Sequence, residues 1–413
     1  MSGIVLSASV RQNLLSLQST ADLLSTTQNR LATGKKVNSA LDNPTNFFTA
    51  QSLDNRAGDI NNLLDGISNG TQVLQAANTG ITSLQKLVDT AKSIANQALQ
   101  TSVGYTTKAN ITTTAPTGAG ALAVAGTASD LTNAGTNSLQ GTTLIFKNSA
   151  TASVTLTFSN VAGATNFNSV DSLNTALSAN SISLQAGFNA AGTITFTSTN
   201  DAASQTITKT GTYAAPPATS SAAIDISGTA TTGSVTAAVA DVNSQNARAS
   251  LVAQYNGILA QITATSQDSS FNGINLLNGD NLKLTFNEKG TSSLNISGVT
   301  FNPTGLGLAS LVVGNDLIDN TSANKQITAL TNASSLLRSQ ASTLGSNLSV
   351  VQIRHDFSKN LINVLQTGSS NLTLADTNEE AANSQALSTR QSIAVSALAL
   401  ANQSQQSVLQ LLR

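Results

Sequence analysis

The sequence predicts a mainly α-helical chain with a β-rich insertion: long antiparallel, coiled-coil-like helices from both termini, a β hairpin in the inner domain, and a small β-rich outer domain. Three observations lead there. Apolar residues recur at spacings of three and four in both end regions, a period the middle lacks. The middle shifts to Gly, Ala, Thr and Ser, with short alternating segments. Aromatic residues make up only 3% of the chain and Trp is absent, which suits thin, closely packed helices and Thr-rich strands better than a core built on large rings.

The first zone runs from Met1 to about Gln100. Val10, Leu14, Leu17, Ala21, Leu24 and Leu31 form the a/d stripe of a coiled-coil-like helix. Gly34, in Thr33-Gly34-Lys35-Lys36, should stop that helix as a left-handed cap. Asp42-Asn43-Pro44-Thr45 reads as a turn, because Pro44 pushes Asn43 off helical angles. A second stripe of Ile67, Gly70, Leu74, Ala77, Ile81, Leu84, Val88, Ala91, Ala95 and Ala98 predicts a helix from near Asn55, roughly 65 Å long at about 1.5 Å per residue.

The second zone, about 110–240, holds Pro116, Pro216 and Pro217. Residues 153–158 and 193–196 alternate as half-buried strands do, 144–146 and 205–208 are weaker strand candidates, and 170–177 reads as a short helix. The third zone, from about Asp241 to Arg413, returns to helix. Its stripe is Leu330, Ser334, Leu337, Ala341, Leu344, Leu348, Val351, His355, Ser358, Ile362 and Leu365, followed by Leu387, Ala394, Leu398, Ala401, Val408 and Leu412. Before it, residues 282–286 and 293–296 flank a turn at Glu288-Lys289-Gly290 and predict a hairpin. The simplest geometry lays the two ends side by side as antiparallel helices with the insertion at the far tip.

Isolated terminal helices would be unstable. Burying the stripe side chains of one such helix recovers far less than the conformational entropy lost on ordering its backbone. The flanking Leu15 and Leu23 widen the apolar surface. The ends are therefore expected to fold fully only among many neighbours, as in a polymer.

Composition excludes several classes. A net charge of -1 with 9% charged residues lacks the basic patch of a nucleic-acid binder or of a polybasic membrane anchor. No run of eighteen apolar residues predicts a transmembrane helix. The first ten residues lack the basic region of a cleavable secretory signal. Cysteine is absent, so packing alone must hold the chain. His355 is the only histidine, which rules out a two-His zinc motif from one chain; between Arg354 and Asp356 it reads as an interface residue, with a pH switch as the alternative. Glu379-Glu380 reads as acid complementing the positive end of a last helix starting near Asp376, with a paired-carboxylate site as the alternative. Gly118 to Gly126 lacks a phosphate-loop Lys and reads as a loop. No catalytic, cofactor or metal residues are expected, and the chain does not read as an enzyme.

Several segments, taken in order, carry a resemblance. Asn29-Arg30-Leu31-Ala32-Thr33-Gly34-Lys35-Lys36-Val37-Asn38-Ser39-Ala40, Leu41-Asp42-Asn43-Pro44-Thr45-Asn46-Phe47-Phe48, Asp65-Gly66-Ile67-Ser68-Asn69-Gly70, Phe271-Asn272-Gly273-Ile274-Asn275-Leu276-Leu277 and the tail Ala401 to Leu412 resemble bacterial flagellins, the second segment in its alphaproteobacterial form. Gln405 stands where that family often has proline, which favours an uninterrupted helix. The resemblance covers roughly 1–105 and 242–413. It implies terminal inner-tube helices at 1–45 and 374–413, a helical core domain with hairpin at 46–109 and 241–373, and a variable β-rich outer domain at 110–240. It further implies a secreted structural subunit of the extracellular flagellar filament, exported through the flagellar type III channel and polymerised through Val10, Leu14, Leu17, Leu24, Leu31, Leu398, Ala401, Val408 and Leu412. The implied partners are many copies of itself, other flagellins able to join them, an export chaperone, a filament cap and hook-associated junction proteins, with no nucleic acid, membrane insertion or cofactor. A hook–filament junction protein and a sugar-binding or adhesive insertion stay open as alternatives.

Overall fold

The computed structural model describes residues 8–113, 141, 143–147, 153–159, 161, 165–188, 193–209, 224–228 and 233–411. Helices α1 (Ala8–Thr33) and α2 (Pro44–Gln100) come first. Strands β1 (Tyr105–Thr107), β2 (Asn110–Thr112), β3 (Thr143–Lys147), β4 (Val154–Phe158) and β5 (Asn166–Phe167) precede α3 (Val170–Ala179). Then come β6 (Leu184–Phe188), β7 (Ile194–Ser198), a 3-10 turn (Asn200–Ala202), β8 (Ile207–Lys209), β9 (Ile224–Gly228), β10 (Ser234–Thr236) and β11 (Val239–Ala240). Helix α4 (Val242–Asp268), hairpin strands β12 (Leu282–Thr285) and β13 (Ser293–Ile296), α5 (Asn320–Thr373) and α6 (Thr377–Leu411) complete the chain. Contacts divide it into two compact units: Met1–Gln72 with Leu282–Ile296 and Asn347–Arg413, and Val73–Asn281 with Ser297–Ser346.

The helix boundaries follow from their caps. Gly34 takes φ +69° and ends α1, as the cap reading expects. Helix α2 starts at Pro44 and not near Asn55. The Asn43-Pro44 pair is a helix start: the Asn43 side-chain oxygen accepts from the Asn46 amide at 3.0 Å, and proline at the first helical position gives up only an N–H that would be unpaired anyway. From Ile67 to Ala98 every residue of the predicted α2 stripe is buried, Leu74 to Ala98 completely.

In the first unit the hairpin forms as expected, with Leu282 opposite Ile296 and Gly290 at φ +70° in the turn. It lies against α2 where Gly70 leaves room for Leu284; a Cβ there would overlap the Leu284 methyls. Arg56 of α2 meets Glu288 of the turn at 3.0 Å. The Glu288 carboxyl is held below its ordinary value by its own backbone N–H first, and by Arg56 after that. Helices α2 and α5 run antiparallel here, with Asp54 accepting from the Ser369 hydroxyl at 2.8 Å.

In the second unit, α4 runs beside α2. Its Leu251, Val252, Tyr255, Leu259 and Ile262 are buried, and Gly80 of α2 leaves space for Ser269 and Leu277 just beyond its end. The Asn275 side chain closes that end, donating to the carbonyls of Ser266 and Gln267 at 2.8 Å each. The β-rich part holds a five-stranded sheet in the order β5-β4-β3-β9-β8 and a four-stranded antiparallel sheet in the order β10-β2-β7-β6. Their inward residues share one core with Leu173 and Leu177 of α3. Phe146 and Phe196 meet across it edge to face at 5.5 Å. Ser169 opens α3 with a reciprocal capping box through Ser172. Asn174 of α3 then pairs with both backbone groups of Ala186, covering the exposed edge of β6.

The expected strands at 153–158, 193–196 and 144–146 appear within a residue or two as β4, β7 and β3, and the expected helix runs two residues longer than 170–177. The weak candidate at 205–208 shifts to Ile207–Lys209. Strands β2, β5, β6, β9 and β10 complete the sheets without having stood out in the sequence. The Gly118 to Gly126 loop, Pro116, Pro216 and Pro217 lie outside the described residues.

Candidate assembly surface on the terminal helices

The first unit brings the two chain ends together. The end of α1, the end of α5 and the start of α6 meet in one junction. The Lys36 amide donates to the Thr373 carbonyl at 2.7 Å, and the Ala375 amide to the Gly34 carbonyl at 3.0 Å. Lys35 and Leu374 face each other in an antiparallel bridge. Asp376 caps α6 by accepting from the Asn378 amide at 2.9 Å. Arg30, in the last turn of α1, meets Glu380, in the first turn of α6, at 3.3 Å. Glu380 is buried, so it does more than complement the helix dipole; Glu379 stays exposed.

From this junction α1 and α6 pack along one another, antiparallel because one ends where the other begins. The predicted stripe of α1 splits. Val10 is buried, Leu17, Ala21 and Leu24 are half-buried, and Leu14 and Leu31 are exposed at 45% and 39%. Thr27 and Arg30 take the inward places of the last two turns. The inward line steps by three from Leu24 to Thr27 and Arg30, where Arg30 turns to Glu380 at the junction, and Leu31 falls outside it. On α6, Leu387, Ala394, Leu398 and Ala401 are half-buried on the inward face. Val408 lies on the same helix, and Leu412 lies outside the described residues.

One helix does not cover the other. Leu14, Leu15, Leu23 and Leu31 of α1, and Ile393, Val395 and Leu400 of α6, are exposed. The sequence reading singled out the leucines of α1 but not the α6 fringe, because Ile393, Val395 and Leu400 fall off the inward stripe. It also missed the Arg30–Glu380 pair, which joins positions 350 residues apart. No local signal exposes such a pair.

The rest of the unit holds little chemistry. His355 is half-buried, with Nε2 3.5 Å from the Ser68 hydroxyl of α2 and Nδ1 3.4 Å from Asp356. In the loop before α2, Asp42 accepts from the amides of Ser39 and Asn38 at 2.8 and 2.9 Å; these donors, Ser39 first, hold its carboxyl below the ordinary 3.8. Among the described residues no group of three or more His, Cys, Asp or Glu could hold a metal ion, and no helix is long and apolar enough to cross a membrane.

Comparison with known proteins converges on these same ends. A family model described as the bacterial flagellin N-terminal helical region matches residues 5–129, and one described as the bacterial flagellin C-terminal helical region matches 327–412, together just over half of the chain. Curated relatives include Flagellin FljM, FljK and FljO of Caulobacter vibrioides, 30%, 29% and 28% identical over 165 residues. The aligned part is 40% of this chain and spans 59% of the length of each of those relatives.

Proposed function

The chain belongs to the bacterial flagellin family, of the alphaproteobacterial type, and from that premise we propose that it is a structural subunit that self-assembles into the helical flagellar filament for motility. The family is one of structural proteins. In this reading the subunit is exported through the flagellar type III channel, acts outside the cell and performs no catalysis. The observation that carries the proposal is the pair α1 and α6, which dock on each other yet leave Leu14, Leu15, Leu23, Leu31, Ile393, Val395 and Leu400 exposed. Burying such side chains is worth ~1.5–3 kcal/mol each, and further copies of the same pair could supply the cover. Of the proposed assembly residues, Leu14 and Leu31 stand exposed for neighbouring copies, whereas Val10, Leu17, Leu24, Leu398 and Ala401 hold the α1–α6 pair together so that it can present them; Val408 and Leu412 complete the proposed set. An export chaperone, a filament cap and hook-associated junction proteins are the further partners of this reading, and residues 110–240 its outer domain.

Electron microscopy of the purified protein tests it. Long filaments are expected from the wild type, and none from Leu398→Asp, which sets an unpaired carboxylate in the α1–α6 seam. Wild-type protein that stops at short, few-copy assemblies would instead favour a hook–filament junction role. Filaments from Leu398→Asp at the wild-type critical concentration would remove the terminal helices from the mechanism.

A further inference from the structure

Within the second unit the β-rich part connects to the helices through residues 101–105 and 240–241. There β1 and β11 pair as a two-stranded ribbon with an irregular register between Tyr105 and Thr107. A ribbon of two short strands bends easily, because it has neither a third strand nor a packed face of its own.

Arg248 of α4 stands at the foot of this ribbon, only 2% exposed. Its Nε donates to the Ser102 carbonyl at 2.9 Å, its Nη2 to the Thr101 carbonyl at 2.8 Å, and its Nη1 to the Leu317 carbonyl. One planar guanidinium thus ties the end of α2, the body of α4 and the approach to α5. Leu317 is fully buried at φ +55°, a conformation that side-chain-bearing residues rarely hold without support. Asp319 follows it, 5% exposed. One of its carboxylate oxygens accepts from the Ser322 amide at 2.8 Å and caps α5. The other accepts from the Ser204 hydroxyl at 2.5 Å. Asp319 also lies near Tyr105 of β1, whose phenol is pushed up by burial and then by that carboxylate. Ser204 belongs to the other side of the ribbon. It follows the 3-10 turn whose Ala202 sits in the β-rich core. The Ser204–Asp319 bond therefore reaches from that core to the head of α5 without passing through the ribbon.

We propose that Arg248, Asp319 and Ser204 form a clamp that fixes the orientation of the β-rich part on its helical support, with the Ser204 hydroxyl as the releasable latch. Arg248 ties the end of α2 and the approach to α5 onto α4 and so presents Asp319, and its charge compensates the buried carboxylate. With the latch closed, the β-rich part is held at three places. With it open, the ribbon alone remains and acts as a hinge.

Ser204→Ala removes only the latch; Ser204→Thr keeps a hydroxyl. The chain has no Cys of its own, so spin labels can be attached to the full-length protein at Ser250→Cys on α4 and Gln185→Cys on β6, both exposed. A narrow distance distribution is expected for the wild type and Ser204→Thr, and a broad one for Ser204→Ala. Amide exchange in the ribbon should rise about tenfold or more in Ser204→Ala, the scale of a hydrogen bond to a charged group. Exchange in α2, α4, α5, β6 and β7 should stay unchanged. An unbroadened distribution in Ser204→Ala overturns the proposal. So does faster exchange throughout β6 and β7, which would make the hydroxyl a contact of the core and not a latch.

Discussion

Glu380→Gln would cut the ion pair at the closed end of the α1–α6 pair while keeping the size of the side chain. The Glu380 side chain is 11% exposed and that of Arg30 37%, at 3.3 Å. Exposed pairs contribute ~0–1 kcal/mol, and breaking a buried one costs ~3–5 kcal/mol. An intermediate site places the loss at ~1–2 kcal/mol, a factor of roughly 5–30 in the population of docked ends. The Arg30 Nε is already buried without a hydrogen-bond partner among the described residues, so loss of Glu380 leaves the guanidinium only solvent and the nearby Asp42 carboxylate. Part of the effect is separate from the pair, because a negative charge in the first turn of α6 is worth ~0.3–1 kcal/mol by itself. A double-mutant cycle with Arg30→Gln isolates the coupling. Urea denaturation followed by circular dichroism should show the terminal helices melting earlier in Glu380→Gln. Sedimentation should show the critical concentration for polymer rising about 5–30-fold. A coupling below ~0.3 kcal/mol, within ordinary non-additivity, would refute the reasoning.

Three more outcomes are expected. Gly70→Ala should destabilise by about 1–3 kcal/mol in thermal denaturation, because the new Cβ meets the Leu284 methyls, whereas Gly58→Ala, with open space around it, should stabilise by about 0.5–1 kcal/mol. The Asp42 carboxyl is depressed below 3.8 in the folded chain, so its contribution is fully present above that value and lost as pH falls through its folded pKa. Protection of the Asn38 and Ser39 amides, taken relative to their intrinsic exchange rate at each pH, should accordingly fall on acidification below about pH 4, and Asp42→Asn should show reduced protection at neutral pH. Deleting residues 115–237 behind a short Gly/Ser link should still give filaments, thinner in projection by electron microscopy; a folded but purely monomeric product would refute the outer position proposed for that region.

Much of the architecture was legible because it rests on local rules. The α2 stripe from Ile67 to Ala98, the Gly34 cap and the hairpin around Gly290 each follow from spacing or from one residue's backbone freedom. The start of α2 was misplaced because Asn43-Pro44 serves both as a turn and as a helix start; the apolar period itself runs unbroken from Ala50 through Leu53, Ala57, Ile60 and Leu64 to Ile67, and it was passed over once Asn43-Pro44 had been read as a turn. Strand β6, with Gln185 and Gly187 on one face, and strand β9, with Asp225 and Gly228, lack the run of β-branched residues that marked β4 and β7; they are strands because neighbours in the sheets pair with them. On α1, the heptad reading matches the inward residues Val10, Leu17 and Leu24, but it carried the line on to Leu31, because the polar Thr27 and Arg30 that take the inward places carry no apolar signal. Arg248 was invisible for another reason. Its ligands are main-chain carbonyls of Thr101, Ser102 and Leu317, and carbonyls leave no trace in a sequence.

The antiparallel run of α2 and α5 also sets what lengths of chain can vary together. Asp54 faces Ser369 and Ser68 faces His355, so fourteen residues of one helix are matched by fourteen of the other. A single residue inserted in α2 between those contacts would turn everything beyond it by ~100° about the helix axis, swinging Ile67 and Gly70 away from the neighbours they were shaped for. Only an equal insertion in α5 would restore the match on that side, and the hairpin side would still be lost. Two stretches of gene some three hundred codons apart are thus yoked in length, residue for residue.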